Sequence, residues 1–192
     1  MKIITYPHPT LRHPSKPVKR VDAELKQIVA RMFELMYESN GVGLAANQVD
    51  LPLRLFVANL EADPEKGEPL VFINPVISRP KGSVEQEEGC LSLPGLYGPV
   101  IRPKQVRITA YTMSGEAIDA TVSGLLARVV QHETDHLDGV LFFDRMPPSR
   151  QTKLRGPLSD FEAEFTNRRK VGEIPEDMEL ARRLTEWEQR YC

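Results

Sequence analysis

The sequence predicts an α+β fold in which mixed or antiparallel strands surround a central helix, with an N-terminal helix and a C-terminal helical tail. Short strand-like runs precede the central helix, and strands do not alternate regularly with helices, which disfavours a doubly wound sheet. No internal repeat is present. Of the 192 residues, 41% are hydrophobic and 27% are charged, a composition that supports one globular core. Sixteen prolines argue against a helical bundle.

The N-terminal part is predicted to form an extended arm followed by a helix. Residues 5–20 hold four prolines and are expected to lie on the surface, with His8 and His13 exposed to solvent. Apolar residues then recur at helical spacing over 23–39, and Asp22 is placed to cap this helix. The segment GVGLAANQ follows it, and its glycines Gly41 and Gly43 either cap the helix and form a turn or leave room for a ligand's backbone to approach closely.

The middle of the chain is predicted to contain strands and then a second helix. The strand-like runs are rich in β-branched and aromatic residues and lie at about 53–59, 70–78, 104–112 and 117–122. The second helix begins at Ser123 or Gly124 and ends near Leu137, before Gly139.

The tail beyond residue 147 is rich in charges of both signs and has little strand character. Its last part, 176–191, is predicted to be an amphipathic helix, because four large apolar residues recur on one face: Leu180, Leu184, Trp187 and Tyr191. We expect residues 1–150 to form the main domain and residues 151–192 to be a charged helical extension packed on it. A contact between subunits is the alternative role for the last helix.

Composition and charge exclude several classes of protein. The 25 Lys and Arg residues nearly balance the 27 Asp and Glu residues, so the chain lacks the basic footprint of a nucleic-acid-binding protein. No apolar stretch reaches the ~18–20 residues of a membrane span, and the first residues resemble neither a signal nor a transit peptide. Two cysteines do not make a disulfide framework. These features predict a cytoplasmic protein and fit a bacterial one.

The segment QHETDH, residues 131–136, has the spacing of a metal site. His132 and His136 lie four residues apart, about 40° apart around a helix, so both imidazoles can reach one metal ion. Glu133 would then lie beside a metal-bound water. A catalytic site of this kind needs three protein ligands and one open position. Two unrelated histidines on an amphipathic helix are the alternative interpretation.

The third ligand does not follow from this segment alone. A third histidine at the metzincin spacing would fall at position 142, which is Phe142, so that class is excluded. A thermolysin-like glutamate would be Glu162 or Glu164, in the weakly patterned tail. The remaining strong ligand type is a thiolate, and Cys90 is the only cysteine before the C-terminal residue.

Three segments in this order resemble the motifs of the peptide deformylase family: GVGLAANQ (41–48), EGCLS (88–92) and QHETDH (131–136). The resemblance extends over about residues 1–146. It implies that Cys90, His132 and His136 bind one divalent metal ion. Ferrous iron is the implied physiological metal, although such a site also accepts zinc, nickel or cobalt.

The resemblance also implies a role for each further residue of the site. Glu133 is implied as the general base and acid, while the side chain of Gln48 and the backbone N–H of Leu91 stabilise the oxyanion. Gly43, Leu44 and Gly89 are implied to border the substrate. Leu125 and Val129 lie on the helical face of His132 and are expected either to line a methionine pocket or to pack in the core.

Charged residues near these motifs have two interpretations. Glu88 is either exposed together with Glu87 or forms a structural acid at the edge of the pocket. Asp135 is expected to pair with an arginine such as Arg102.

The implied activity is hydrolysis of the formyl group on N-terminal formyl-methionine of nascent peptides, with release of formate. The implied partners are these peptides and, transiently, the ribosome. The protein is expected to be a monomer or weak dimer. It is expected to contact neither a membrane nor a specific nucleic acid sequence. Two rivals remain: another HExxH metallopeptidase, and a module with a structural metal. Structural sites usually have four Cys or His ligands, and Glu133 would have no role there.

Overall fold

A five-stranded antiparallel sheet and a separate hairpin form the frame of the computed structural model, which describes residues 1–192. The strands are Gly43–Ala45 (β1), Leu55–Ala58 (β2), Leu70–Lys81 (β3), Val84–Gly89 (β4), Tyr97–Arg102 (β5), Gln105–Tyr111 (β6) and Ala117–Ser123 (β7). The larger sheet has the order β1-β2-β3-β6-β7, and β4 pairs with β5 in the hairpin. Both sheets are antiparallel throughout.

Five α-helices accompany the sheets: Ala23–Glu38 (α1), Gly124–Leu137 (α2), Pro148–Gln151 (α3), Arg155–Lys170 (α4) and Asp177–Tyr191 (α5). The α+β class is therefore confirmed, as are the three predicted helices and the four predicted strands. No helix combines the length and apolar character needed to cross a membrane.

The sequence did not predict β1, β4 and β5, and it predicted a helical extension after residue 150 without giving the bounds of α4. Strand β1 is only three residues long, β4 is almost entirely polar, and β5 contains a glycine and a proline. Such strands are stabilised by their partners rather than by their own propensity. Helix α4 has no buried residue, so it lacks the apolar stripe by which helices are recognised in a sequence.

Helices α1 and α2 cover opposite faces of the larger sheet. Leu55 and Val57 of β2 pack into the cluster that contains α1. Phe56 and Ala58 of the same strand pack into the cluster that contains α2. Because both faces are covered, all four β2 residues are buried, and each large side chain contributes about 1.5–3 kcal/mol of hydrophobic stabilisation. The sheet thus holds α2 rigidly.

The N-terminal arm lies on the surface only in part: Arg12, Lys16 and Lys19 are exposed. The predicted exposure of His8 was wrong. His8 is only 6% exposed, and Leu11 is fully buried. The hydroxyl of Thr10 donates to Asp50 Oδ1 at 2.5 Å, and the N–H of Ile4 donates to the carbonyl of Gln48 at 2.8 Å. These contacts fold the arm onto the segment after β1.

The C-terminal helix α5 packs back onto the start of the chain. Tyr191 is buried, and its hydroxyl donates to Oδ1 of Asp22 at 3.0 Å. Glu188 lies 2.5 Å from Nζ of Lys16 and 2.7 Å from Nε2 of His13, so His13 is half-buried rather than fully exposed. Cys192 is partly buried against the α1 cluster.

Candidate metal centre

Helix α2 presents the two histidines toward the hairpin. Cys90 follows Gly89, the last residue of β4, and Gly89 pairs with Tyr97 across the hairpin. A Cβ at Gly89 would lie 2.5 Å from Cε1 of Tyr97, so the glycine allows the ring to pack on the strand. This arrangement places Cys90 opposite α2.

The predicted ligands Cys90, His132 and His136 come together in the structure. One ligand atom from each lies within 4.8 Å of the others, and Sγ of Cys90 lies 3.2 Å from Nε2 of His136. Nδ1 of His132 lies 3.0 Å from Oε2 of Glu88, which leaves Nε2 of His132 free to bind an ion. A carboxylate behind a ligating imidazole is usual in metal sites.

The surroundings of Cys90 and His136 suit a metal-binding form. The N–H of Ser92 and Nε2 of Gln48 each donate to Sγ of Cys90 at 3.4 Å, and such donors stabilise a thiolate. Burial holds the pKa of His136 well below its usual value, so its imidazole is neutral, as a metal ligand must be. One thiolate and two imidazoles form a ligand set that accepts divalent transition metals.

Glu133 lies next to the three ligands and is buried. Burial raises the pKa of its carboxyl group to about 7, and its Oε2 has no hydrogen-bond partner. A Cβ at Gly43 would lie 2.5 Å from Oε1 of Glu133. Gly43 therefore leaves the space that the carboxyl group occupies. The left-handed residue at the end of α1 is Asn40, with φ 53°, so Gly41 does not cap that helix.

Gln48 is held in one orientation beside Cys90. Its Oε1 accepts a hydrogen bond from the N–H of Ala45 at 2.8 Å, and its Nε2 donates to Oγ of Ser92 at 3.2 Å. The amide N–H groups therefore point toward the cysteine side of the site. The N–H of Leu91 donates to no protein acceptor. Gln48 and Leu91 both line a cleft in front of the ligands.

A cleft of about 620 Å³ opens in front of the ligands. Of the residues expected to border the substrate, those that line it are Gly43, Gly89, Leu125 and Val129. Leu125 is 50% exposed at its mouth. Leu44 differs, because its side chain is fully buried in the α1 cluster and is absent from the cleft wall. Only its main chain, on the edge strand β1, can face a substrate.

A buried ionic network lies behind the ligands. Arg102 donates to both carboxylate oxygens of Glu88, at 2.6 and 2.9 Å, and to Oδ2 of Asp135 at 2.8 Å, which confirms the predicted Asp135–Arg102 pair. Burial alone would raise the pKa of Glu88, but its bonds to His132 and Arg102 lower it to about 2. Glu88 is thus the buried structural acid, while Glu87 is exposed.

Sequence reasoning missed two arginines of this network. Arg145 lies 2.6 Å from Oδ1 of Asp135. Arg128 contacts Glu88 and also lines the cleft. The sequence does contain one indication for Arg128: it lies four residues before His132, which places both side chains on the same helical face.

Comparisons with known proteins agree with this geometry. Residues 1–152 match the family model described as polypeptide deformylase. The chain is 50% identical over 191 residues to a peptide deformylase of Rhodopirellula baltica, covering 100% of this chain and 95% of the relative. It is 45% identical over 158 residues to a peptide deformylase of Neisseria gonorrhoeae, covering 82% of this chain and 93% of that protein.

A solved structure shows the same fold. The crystal structure of Arabidopsis thaliana peptide deformylase 1B in complex with an inhibitor has a TM-score of 0.84 and 40% sequence identity. The superposition covers 92% of this chain and 97% of the plant chain. Sequence, fold and the arrangement of Cys90, His132 and His136 lead to one conclusion: the chain belongs to the peptide deformylase family, whose members are hydrolases.

Proposed function

We propose that Cys90, His132 and His136 hold a divalent metal ion, and that this centre removes the formyl group from N-terminal formyl-methionine of newly synthesised polypeptides, releasing formate. One observation carries the proposal: the three ligand atoms lie within 4.8 Å of one another, beside a buried glutamate with an unpartnered oxygen. Both open into a cleft large enough for a peptide end.

The metal would supply the Lewis acidity that makes water a nucleophile near neutral pH. We infer ferrous iron as the physiological ion from the family resemblance. Zinc, nickel or cobalt would also bind, because affinities for such a ligand set do not favour iron.

Glu133 would move the proton in this reaction. Its carboxylate would take a proton from the attacking water and give it to the departing amine. The raised pKa of about 7 suits both steps, because a group whose pKa lies near the working pH can both accept and donate a proton. Burial beside Gly43 keeps the group in place.

Gln48 and Leu91 would stabilise the negative charge that develops on the formyl oxygen. The side-chain amide of Gln48 is already fixed by Ala45 and Ser92, so it need not reorganise in the transition state. The N–H of Leu91 is free to donate. Two fixed donors on a growing charge are a main source of rate enhancement in acyl-transfer enzymes.

The peptide would lie along β1. This strand pairs with β2 on one side only, and its other edge is beside the cleft at Gly43. An open strand edge binds an extended peptide through main-chain hydrogen bonds, here from Gly43 and Leu44, with Gly89 opposite. The methionine side chain would then pack against Leu125 and Val129.

Neither rival function fits the site equally well. A structural metal would need no buried glutamate with an unpartnered oxygen and no cleft beside it. A general metallopeptidase is not favoured, because the relatives that match most of the chain are peptide deformylases.

The chain is proposed to divide into a catalytic part and a C-terminal extension. We infer that residues 1–150 form the catalytic domain, and that residues 151–192 are an extension that braces the N-terminal segment. The proposed context is the cytoplasm of a bacterium, with a monomer or weak dimer that contacts the ribosome transiently and recognises no specific nucleic acid sequence.

The direct test is release of formate from formyl-Met-Ala-Ser by anaerobically prepared, iron-loaded protein. We expect rapid release, with at least a hundredfold loss in Glu133→Ala, about the contribution of one general acid–base group. No release from protein with one bound metal ion per chain would contradict the proposal. Cleavage of internal bonds in unformylated peptides would instead indicate a metallopeptidase.

A further inference from the structure

A buried arginine forms part of the wall on which the substrate side chain is proposed to pack. The residues of α2 that line the cleft include Leu125, Arg128, Val129 and His132. Arg128 lies four residues before the metal ligand His132, about 6 Å along the helix. A side chain that enters the cleft from a formyl group at the metal centre would run along this wall toward Arg128.

The guanidinium group of Arg128 is rigidly held but not fully paired. Its Nη1 donates to the carbonyl of Val100 at 3.2 Å and also to Glu88. Its Nη2 donates to the carbonyl of Val84 at 3.0 Å. A guanidinium has five N–H donors, and the Nε–H of Arg128 has no acceptor in the protein. Although the side chain is only 8% exposed, this N–H is not sealed off from solvent, so an acceptor that a ligand brings can reach it.

We propose that Arg128 is a specificity-determining residue. It would allow the enzyme to process formylated peptides whose first residue has an unbranched side chain with a hydrogen-bond acceptor near its tip. Methionine sulfoxide is the chemical class that fits. It has the length of methionine, and its S=O oxygen is a strong acceptor where the thioether is a weak one. Nascent chains that begin with oxidised formyl-methionine would thus still be deformylated. This inference rests on the proposed function.

The alternative is that Arg128 only braces the hairpin. A wall made of Leu125 and Val129 alone would leave a buried S=O group without a partner and would reject it. A bracing role would alter the processing of every substrate in the same proportion. The two roles therefore differ in relative rates between substrates rather than in absolute activity.

The experiment compares kcat/KM for the formylated tripeptides that begin with methionine, methionine sulfoxide and norleucine, each followed by Ala-Ser. Wild type is expected to process the sulfoxide within about tenfold of methionine. In Arg128→Met the sulfoxide-to-methionine ratio is expected to fall by about tenfold, the equivalent of one hydrogen bond, mainly through KM. Arg128→Lys, which keeps a donor, should recover much of the ratio, while norleucine should follow methionine throughout.

The matched control is Arg145→Met, which removes a charge from the same network at a residue outside the cleft lining. Its sulfoxide-to-methionine ratio should equal that of wild type. This ratio of two kcat/KM values does not depend on how much of the variant is folded, because both values scale with the same concentration of active enzyme. An unchanged ratio in Arg128→Met, or a wild type that rejects the sulfoxide more than about a hundredfold, overturns the inference. Absence of formate release from all three peptides would instead refute the proposed function.

Discussion

Oε1 of Glu133 occupies the position that the side chain of residue 43 would otherwise fill. A Cβ at Gly43 would lie 2.5 Å from that oxygen and 2.9 Å from the carboxyl carbon. Gly43 belongs to an edge strand and Glu133 to the helix behind the sheet. The glycine therefore sets the position of the carboxyl group relative to the ligands at 132 and 136.

Gly43→Ala is expected to displace Glu133 without unfolding the protein. The clash involves the far end of a flexible side chain, and the backbone at Gly43 is not left-handed. We expect kcat for formyl-Met-Ala-Ser to fall by about tenfold or more, because a small misplacement of a catalytic group is costly, while Tm stays within a few degrees. Gly156→Ala is the matched control, since nothing lies within 4 Å of a Cβ there. If kcat of Gly43→Ala equalled that of wild type, the position that Gly43 gives the Glu133 carboxyl group would not matter for turnover.

Gln48→Ala is expected to remove one of the two proposed oxyanion donors. Losing such a donor typically costs about 2.7–4 kcal/mol of transition-state stabilisation, so kcat should fall by roughly a hundredfold or more. KM should change little, because the interaction forms mainly in the transition state. The N–H of Ala45 also loses its acceptor, so Tm is measured beside the kinetics. If Tm fell and KM rose while kcat stayed at the wild-type value, Gln48 would have a structural role rather than a catalytic one.

The spacing within α2 could be predicted from the sequence, because His132, Glu133 and His136 lie within about one turn of a single element. The approach of Cys90 to His136 could not be derived from periodicity, since it depends on a hairpin whose strands carry polar residues, glycine and proline. Family resemblance supplied that ligand. Arg128 was missed because a charged residue on a helix is normally solvated. The burial of His8 depends on contacts with residues far along the chain, which no local pattern reveals.

Glu88→Gln is expected to weaken metal binding by about 10–100-fold, the usual effect of altering a partner behind a ligating histidine. The carboxylate at 3.0 Å from Nδ1 of His132 orients the ring and increases its basicity. Metal affinity is measured by competition with a chelator, which reports binding independently of turnover. Glu87→Gln, at the exposed neighbouring position, provides the control and should bind metal like wild type. Equal affinities in the two variants would argue against a role for Glu88 in positioning His132.

Glu188→Gln is expected to loosen the contact between α5 and the N-terminal segment in a pH-dependent way. Burial alone would raise the pKa of Glu188, but hydrogen bonds from Lys16 and His13 lower it below its usual value. A carboxyl group whose pKa is lower in the folded state stabilises the protein above the unfolded-state pKa, and this contribution is lost as pH falls through the folded-state value.

At pH 7 the variant should therefore be less stable than wild type by about 1 kcal/mol, the upper range for a partly exposed ion pair. The difference should shrink as the pH falls below the usual glutamate range and through the lowered folded-state pKa of Glu188, because the protonated carboxyl group is uncharged, like the glutamine. Chemical denaturation at pH 7 and at acidic pH measures it. Glu186→Gln tests the same change on the exposed face of α5, where the pair with Arg182 lies in solvent, and should cost little at either pH. A loss of stability in Glu188→Gln that persisted undiminished at low pH would show that the contact depends on packing rather than on charge.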